Sequence, residues 1–410
     1  MADWVRSFYQ RPGYQKYAGL SYVIFLAGFF FLPTKAIRNY YYIFVLLPFL
    51  PWFFFFGLNK IFQSKILSVA LLYCLYMLIS LGWANGLDSM EALNYIRKAF
   101  LVISFITLTA YLLETSWDRL NTFFQVICWT AAMMGIVSSV WYGLFFYEDL
   151  AHNGYRMISL GILNFPLTAA TCYSLVALIA FFNFFLQAEA PLKTRATSAL
   201  VIVTSVSFVL LTHSRGPLLA LAITLLVGVF LWRPKRVVWV FAFFILSFLA
   251  AAAIGLFEWA DLTRRSDSFR LTIWQQSWDI FKNNPWIGYG LGGERPPITY
   301  DHGLAAHAHN LFLSNLLDGG VLSLLPLLVL LGFTARYALR YFVDRKNITL
   351  FSLAIFSILA NLTDGKVLIV SPNHQWFYFW FPIGIIAAYE LHCRSKSDFR
   401  QDFSAPPAQG

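Results

Sequence analysis

The amino-acid sequence predicts an all-α, polytopic membrane protein of about twelve transmembrane helices with one large polar loop. Three observations carry that reading. Of 410 residues, 59% are apolar and 19% aromatic, and only 12% are charged, where a soluble domain carries about 25%. Apolar stretches close to the roughly 20 residues that cross a bilayer recur along almost the whole chain. A single long polar segment, Arg264 to Gly320, interrupts them.

The spans are read, in order, over residues 18–32, 41–57, 66–83, 99–113, 122–146, 158–186, 197–211, 217–232, 237–257, 311–333, 348–362 and 376–391. The chain is thereby divided into nine spans within 1–257, a loop with short helices at 258–310, three spans within 311–392 and a tail at 393–410. The tail ends SAPPAQG and is expected to be unstructured. The first apolar stretch follows a polar arm and lacks a small-residue cleavage site, so no cleavable signal peptide is expected. No internal repeat is found.

An even number of crossings puts both termini on one side, and the basic residues test this. Three on the N-terminal arm, three on the tail and twelve in the loops between, from Lys60 to Lys346, share one face, out of 30 in all. The positive-inside rule makes that face cytoplasmic. The other twelve stand where the rule disfavours them: Lys35, Arg38, Arg97, Lys98, Arg156, Arg215, Arg264, Arg265, Arg270, Lys282, Arg295 and Lys366. Lys35 and Arg38 are expected to snorkel toward lipid headgroups. Arginines gathered at helix ends on the outer face suit an anion, because guanidinium is always charged and matches phosphate oxygens two at a time.

The net charge of +10 is scattered between spans and not drawn into a stripe, so no nucleic-acid partner is expected. Cys74, Cys128 and Cys172 fall inside spans and Cys393 follows the last one. They offer neither metal-ligand spacing nor an exposed pair and read as small apolar residues.

Four stretches could carry chemistry. HSRGP, His213 to Pro217, joins two spans with almost no loop, which holds Arg215 at the membrane surface beside a helix start. Ser268 to Gly293 reads as an amphipathic helix carrying Arg270, stopped by Asn284 and Pro285. The glycines at 288, 290, 292 and 293 follow no strand, which excludes a dinucleotide fingerprint; both a cover over a lipid-linked substrate and a plain linker remain open for them. DHGLAAHAHN sets His302, His307 and His309 before the tenth span. A histidine there can act as a general base or as a zinc ligand with Asp301, although no second carboxylate or cysteine completes a common zinc set. The loop before the sixth span carries Glu148, Asp149, His152 and Arg156, but adjacent acids point apart on a helix, so they make a weak cation site.

Taken together, Ser214-Arg215-Gly216, Arg270, PWIGYG at Pro285 to Gly290, His309-Asn310 and the following Gly320 resemble the lipopolysaccharide O-antigen ligases and the superfamily they share with O-antigen polymerases. Arg156, with Asn164 and Pro166, also looks like a family feature. Ser323 departs from the ligase pattern, which blurs ligase against polymerase. The resemblance implies a GT-C-like inner-membrane glycosyltransferase with its active site facing the periplasm. Its donor would be O-antigen on undecaprenyl diphosphate and its acceptor a sugar hydroxyl of the lipid A core oligosaccharide, transferred with inversion. His309, Arg215 and Arg270 would be catalytic. Arg156, Arg265, His307 and Asn310 would contact substrate, and no metal or other cofactor is expected. An O-antigen polymerase and a protein O-oligosaccharide ligase are alternatives. A flippase is disfavoured because the spans hold no mid-membrane charges.

Overall fold

A computed structural model describes residues 2–146, 156–187, 189–232, 269–300 and 303–404. The predicted ninth span, 237–257, lies outside them, as do Arg264, Arg265, Glu148, Asp149, His152, Asp301 and His302. Among the described residues the chain is almost wholly helical, and eight helices are long and apolar enough to cross a membrane. After α1 (Ala2–Gln10) and α2 (Pro12–Gly28) come α3 (Thr34–Gln63), α4 (Lys65–Trp83), α5 (Ser89–Glu114), α6 (Arg119–Phe145), α7 (Pro166–Phe185), α8 (Leu192–Leu211) and α9 (Arg215–Trp232). The loop contributes α10 (Arg270–Phe281), strands β1 (Ile298–Tyr300) and β2 (Gly303–Ala305), and then α11 (Leu311–Arg345) begins. A shorter apolar helix, α12 (Thr349–Asp364), and α13 (Phe381–Ser404) close the chain.

One expectation is corrected. The sixth span does not begin at 158, because residues 156–165 are irregular and Pro166 opens the helix, where its missing N–H costs nothing. The loop adds a hairpin to its short helix: β1 and β2 pair antiparallel, with Thr299 opposite Leu304, in strands too short to show a period.

Large side chains such as Phe54, Phe62, Leu72 and Leu144 point outward, as lipid-facing positions do. The interior is sealed where α5 meets α13. A Cβ on Gly384 would lie 2.7 Å from that of Thr109, so a small residue lets two backbones approach. Further along α13, the fully buried Glu390 accepts from Ser64 Oγ (2.6 Å) and from the backbone N–H groups of Lys65 (2.8 Å) and Ile66 (3.1 Å). Its charge meets the positive end of α4, which makes its burial tolerable.

The loop has a second, separate core built from Ile273, Ile280, Phe281, Ile298, Ala308, Leu316 and Leu317. These residues fasten α10 and the hairpin to the first turns of α11. The glycine-rich segment has a defined task there. At Gly320 (φ 64°, ψ −165°) the helix α11 kinks, in a region essentially open only to glycine. The kink frees backbone groups that must be satisfied elsewhere. Tyr289 N–H donates to Leu317 O (2.8 Å), and Val321 N–H donates to Pro285 O (2.9 Å). Gly288 (φ 63°) faces Gly320, and a Cβ on Gly288 would lie 2.6 Å from Leu317 O and 2.7 Å from Gly320 N. A Cβ on Gly320 would in turn strike the Trp286 backbone. Arg295 then pairs with Asp318 at 2.7 Å. The segment is therefore a backbone dock that holds the loop on α11.

Candidate active site

Four helix ends converge at the loop. His309 stands just before α11 with φ 49°, and Asn310 caps that helix, its Oδ1 accepting from Phe312 N (2.9 Å) and Leu313 N (3.2 Å). Asn310 is buried, and the structure gives it a capping task. His309 Nδ1 lies 2.8 Å from Oδ1 of Asp364, the last residue of α12. A carboxylate only accepts, which assigns the ring hydrogen to Nδ1 and leaves the Nε2 lone pair for chemistry. The pair is partly open, with side-chain exposures of 34% and 22%, enough for a substrate to reach the ring.

Arg270 opens α10 directly after Phe269 (φ 53°), and Arg215 opens α9 two residues after His213 (φ 51°). Gly216 brings these ends together. A Cβ there would lie 2.7 Å from Thr363 Oγ1 and 3.4 Å from Arg270 Nη1, so the Arg270 guanidinium rests on the turn that carries Arg215, next to the end of α12. Burial pulls the Arg270 pKa down, and the nearby Asp364 carboxylate opposes this. Arg156 donates from Nε to Thr212 O (2.9 Å) and from Nη2 to Ser214 Oγ (2.7 Å), which clamps the same turn.

Three of the four non-glycine residues with positive φ in the described chain, His213, Phe269 and His309, each come within two residues of one of these helix starts. Left-handed backbone at such residues costs about 1–3 kcal/mol. The charges run against their helices as well: Arg215 and Arg270 at N-terminal ends and Asp364 at a C-terminal end each oppose the macrodipole by about 0.3–1 kcal/mol. Asp364 was not singled out from the sequence, although an acid closing an apolar helix in NLTDGK was the available signal.

His307 packs on His309, ring centroids 4.0 Å apart. Its buried Nδ1 has no hydrogen-bond partner. Burial, with the neighbouring His309 adding to it, pushes its pKa down to about 4, so the ring is neutral near pH 7. His307, His309 and Asp364 also bring one ligand atom each within 4.8 Å of one another. The structure thus gathers His309, His307, Arg270, Arg215 and Arg156 around one site.

The O-antigen ligase family profile matches residues 200–328. A curated O-antigen ligase from Pseudomonas aeruginosa is 26% identical over 351 residues, 84% of this chain and 82% of that protein. This chain is thus similar to O-antigen ligases over most of its length. The profile match takes in Arg215, Arg270, Gly288, His309 and Gly320 and stops before Asp364, so the partner of the histidine lies beyond the stretch that matches the family.

Proposed function

We propose that the protein transfers O-antigen polysaccharide from undecaprenyl diphosphate to a sugar hydroxyl of the lipid A core oligosaccharide, at the periplasmic face of the inner membrane. The observation that carries the reading is the His309–Asp364 pair with Arg270 and the Arg215 turn beside it. His309 Nε2 takes the proton of the acceptor hydroxyl, and the oxygen attacks the anomeric carbon from the face opposite the diphosphate. The bond from that carbon to the diphosphate oxygen breaks, with inversion. Arg215 and Arg270, with two helix N-termini behind them, neutralise the departing charge. Arg156 holds the turn in place, and Asp364 orients the imidazole and balances the positive charge it gains. The periplasmic site rests on the expectation of twelve spans with both termini cytoplasmic, which the basic residues gathered on one face support.

The test is transfer by purified protein given lipid-linked polysaccharide and lipid A core. Ligated product is expected, and His309→Ala should lower kcat by about 100 to 10,000-fold while the protein remains folded and inserted. Elongation of the lipid-linked chain in place of ligation would make it a polymerase, and full activity in His309→Ala would remove the base. The ligand atoms of His307, His309 and Asp364 give a metal-dependent alternative its one structural support. A chelator should leave transfer intact; loss of activity restored by zinc would replace the arginine mechanism.

A further inference from the structure

Of the cations that stand against the orientation rule, several are now accounted for. Arg156, Arg215 and Arg270 belong to the site, Arg295 pairs with Asp318, and Lys282 pairs with Asp279 at 2.8 Å. Arg38, Lys98 and Lys366 are not, and they lie together. Lys366 follows Asp364 by two residues, so its backbone stays within about 7 Å of the carboxylate-bearing residue. The chain from Lys366 then runs to Pro372, whose carbonyl accepts from Arg38 Nε at 3.5 Å. Lys98 projects from α5 over the Tyr95 ring, 4.3 Å from its centre, within electrostatic reach of Arg38, Arg97 and Lys366. His307 in turn feels Lys366.

Among the described residues, no carboxylate forms an ion pair with Arg38, Lys98 or Lys366. Glu91 alone contributes an opposing charge near Lys98. Like charges held together repel one another unless an anion joins them. Lys366 joins this group to the site, since it stands two residues from Asp364 and His307 feels its charge.

Resting on the ligase reading above, we infer that Arg38, Lys98 and Lys366 form a second anion site, which binds a phosphate ester on the acceptor's sugars and presents the neighbouring hydroxyl to His309. The ligand class is a phosphorylated saccharide. The acyl-lipid headgroups of the membrane share that phosphate chemistry, and the experiment separates the two sources.

Transfer would be measured in nanodiscs of phosphatidylcholine with intact lipid A core and with the same glycolipid dephosphorylated by hydrofluoric acid. Wild-type protein should show a KM about tenfold higher for the dephosphorylated acceptor, the worth of one or two partly exposed charge contacts. In Lys98→Gln and Lys366→Gln the KM for intact acceptor should rise about fivefold each, and the ratio between the two acceptors should fall toward one. Lys282→Gln serves as the control and should match wild type. Equal KM values for both acceptors in wild-type protein would overturn the inference while ligation itself continued. Variant effects that arise only when phosphatidylglycerol is added to the discs, whatever the acceptor, would assign the site to membrane lipid and overturn it too. Elongation of the lipid-linked chain in place of ligation is a different product, and it would remove the ligase reading and the sugar-phosphate ligand together.

Discussion

The two groups of cations near His309 and Asp364 are built differently. One is made of arginines at helix starts: the Arg270 guanidinium rests against Gly216 and Thr363, and the Arg215 turn is clamped by Arg156. In the other, Lys98 and Lys366 carry the charge, Lys366 exposed on an irregular segment, with Arg38 on a carbonyl. A guanidinium offers a fixed fork, whereas an ammonium is a mobile point charge. The difference separates two demands. A group that must match a diphosphate as its bond breaks needs fixed geometry, while a group that only retains an acceptor needs charge.

The largest effect expected comes from Asp364, which acts on Arg270 and stands two residues from Lys366. Asp364→Asn should cut kcat by about 100 to 10,000-fold with little change in either KM, and Asp364→Glu should recover part of the loss. Loss of both kcat and acceptor affinity would place Asp364 in binding instead. Next, Arg270→Lys and Arg215→Lys should each lose about 100-fold in kcat, as a lost transition-state donor does, while Lys98→Arg and Lys366→Arg should leave the acceptor KM within about twofold of wild type. Were lysine as good as arginine at 215 and 270, the contrast in geometry would collapse to one of charge alone.

A smaller effect belongs to the loop that carries His309. Gly320→Ala forces a side chain into a glycine-only region and onto the Trp286 backbone, a strain of about 1–3 kcal/mol. It should lower the unfolding temperature in detergent and expose the 282–297 segment to protease. The smallest concerns His307. Its folded pKa, about 4, lies below its unfolded value of 6.5, so between those limits the unfolded chain binds more protons. Stability should be full above about pH 6.5 and decline as pH falls toward 4, and His307→Asn should flatten that slope in thermal melts.

Much of this was legible in the residues themselves. Apolar length pointed to the helices, eight of which among the described residues are long enough to cross a membrane, and the orientation rule singled out Arg215, Arg270 and Lys366 as basic where it disfavours them. Asp364 escaped notice because its meaning comes from a partner 55 positions away, although its opposition to the helix dipole can be read locally. Asn310 before an apolar run carried a cap signal that the adjacent histidine overshadowed. The start of the sixth span was misplaced because Ile158 to Phe165 is apolar enough to extend the helix, and only Pro166 marks where it begins. The hairpin and the dock of Tyr289 on Leu317 depend on tertiary pairing that no local pattern encodes.

The contact between Gly288 and Gly320 has a consequence for how such proteins are compared. Contacts are often recovered from aligned relatives by finding positions that exchange residues in step, a large side chain at one answered by a small one at the other. Here both partners are already the smallest residue, both have left-handed φ, and each abuts backbone that cannot yield. Neither position has a substitution that the other could answer. The contact that fixes the loop over the bundle is therefore silent to covariation, and a contact map inferred that way would leave the loop and its histidine unanchored at this point.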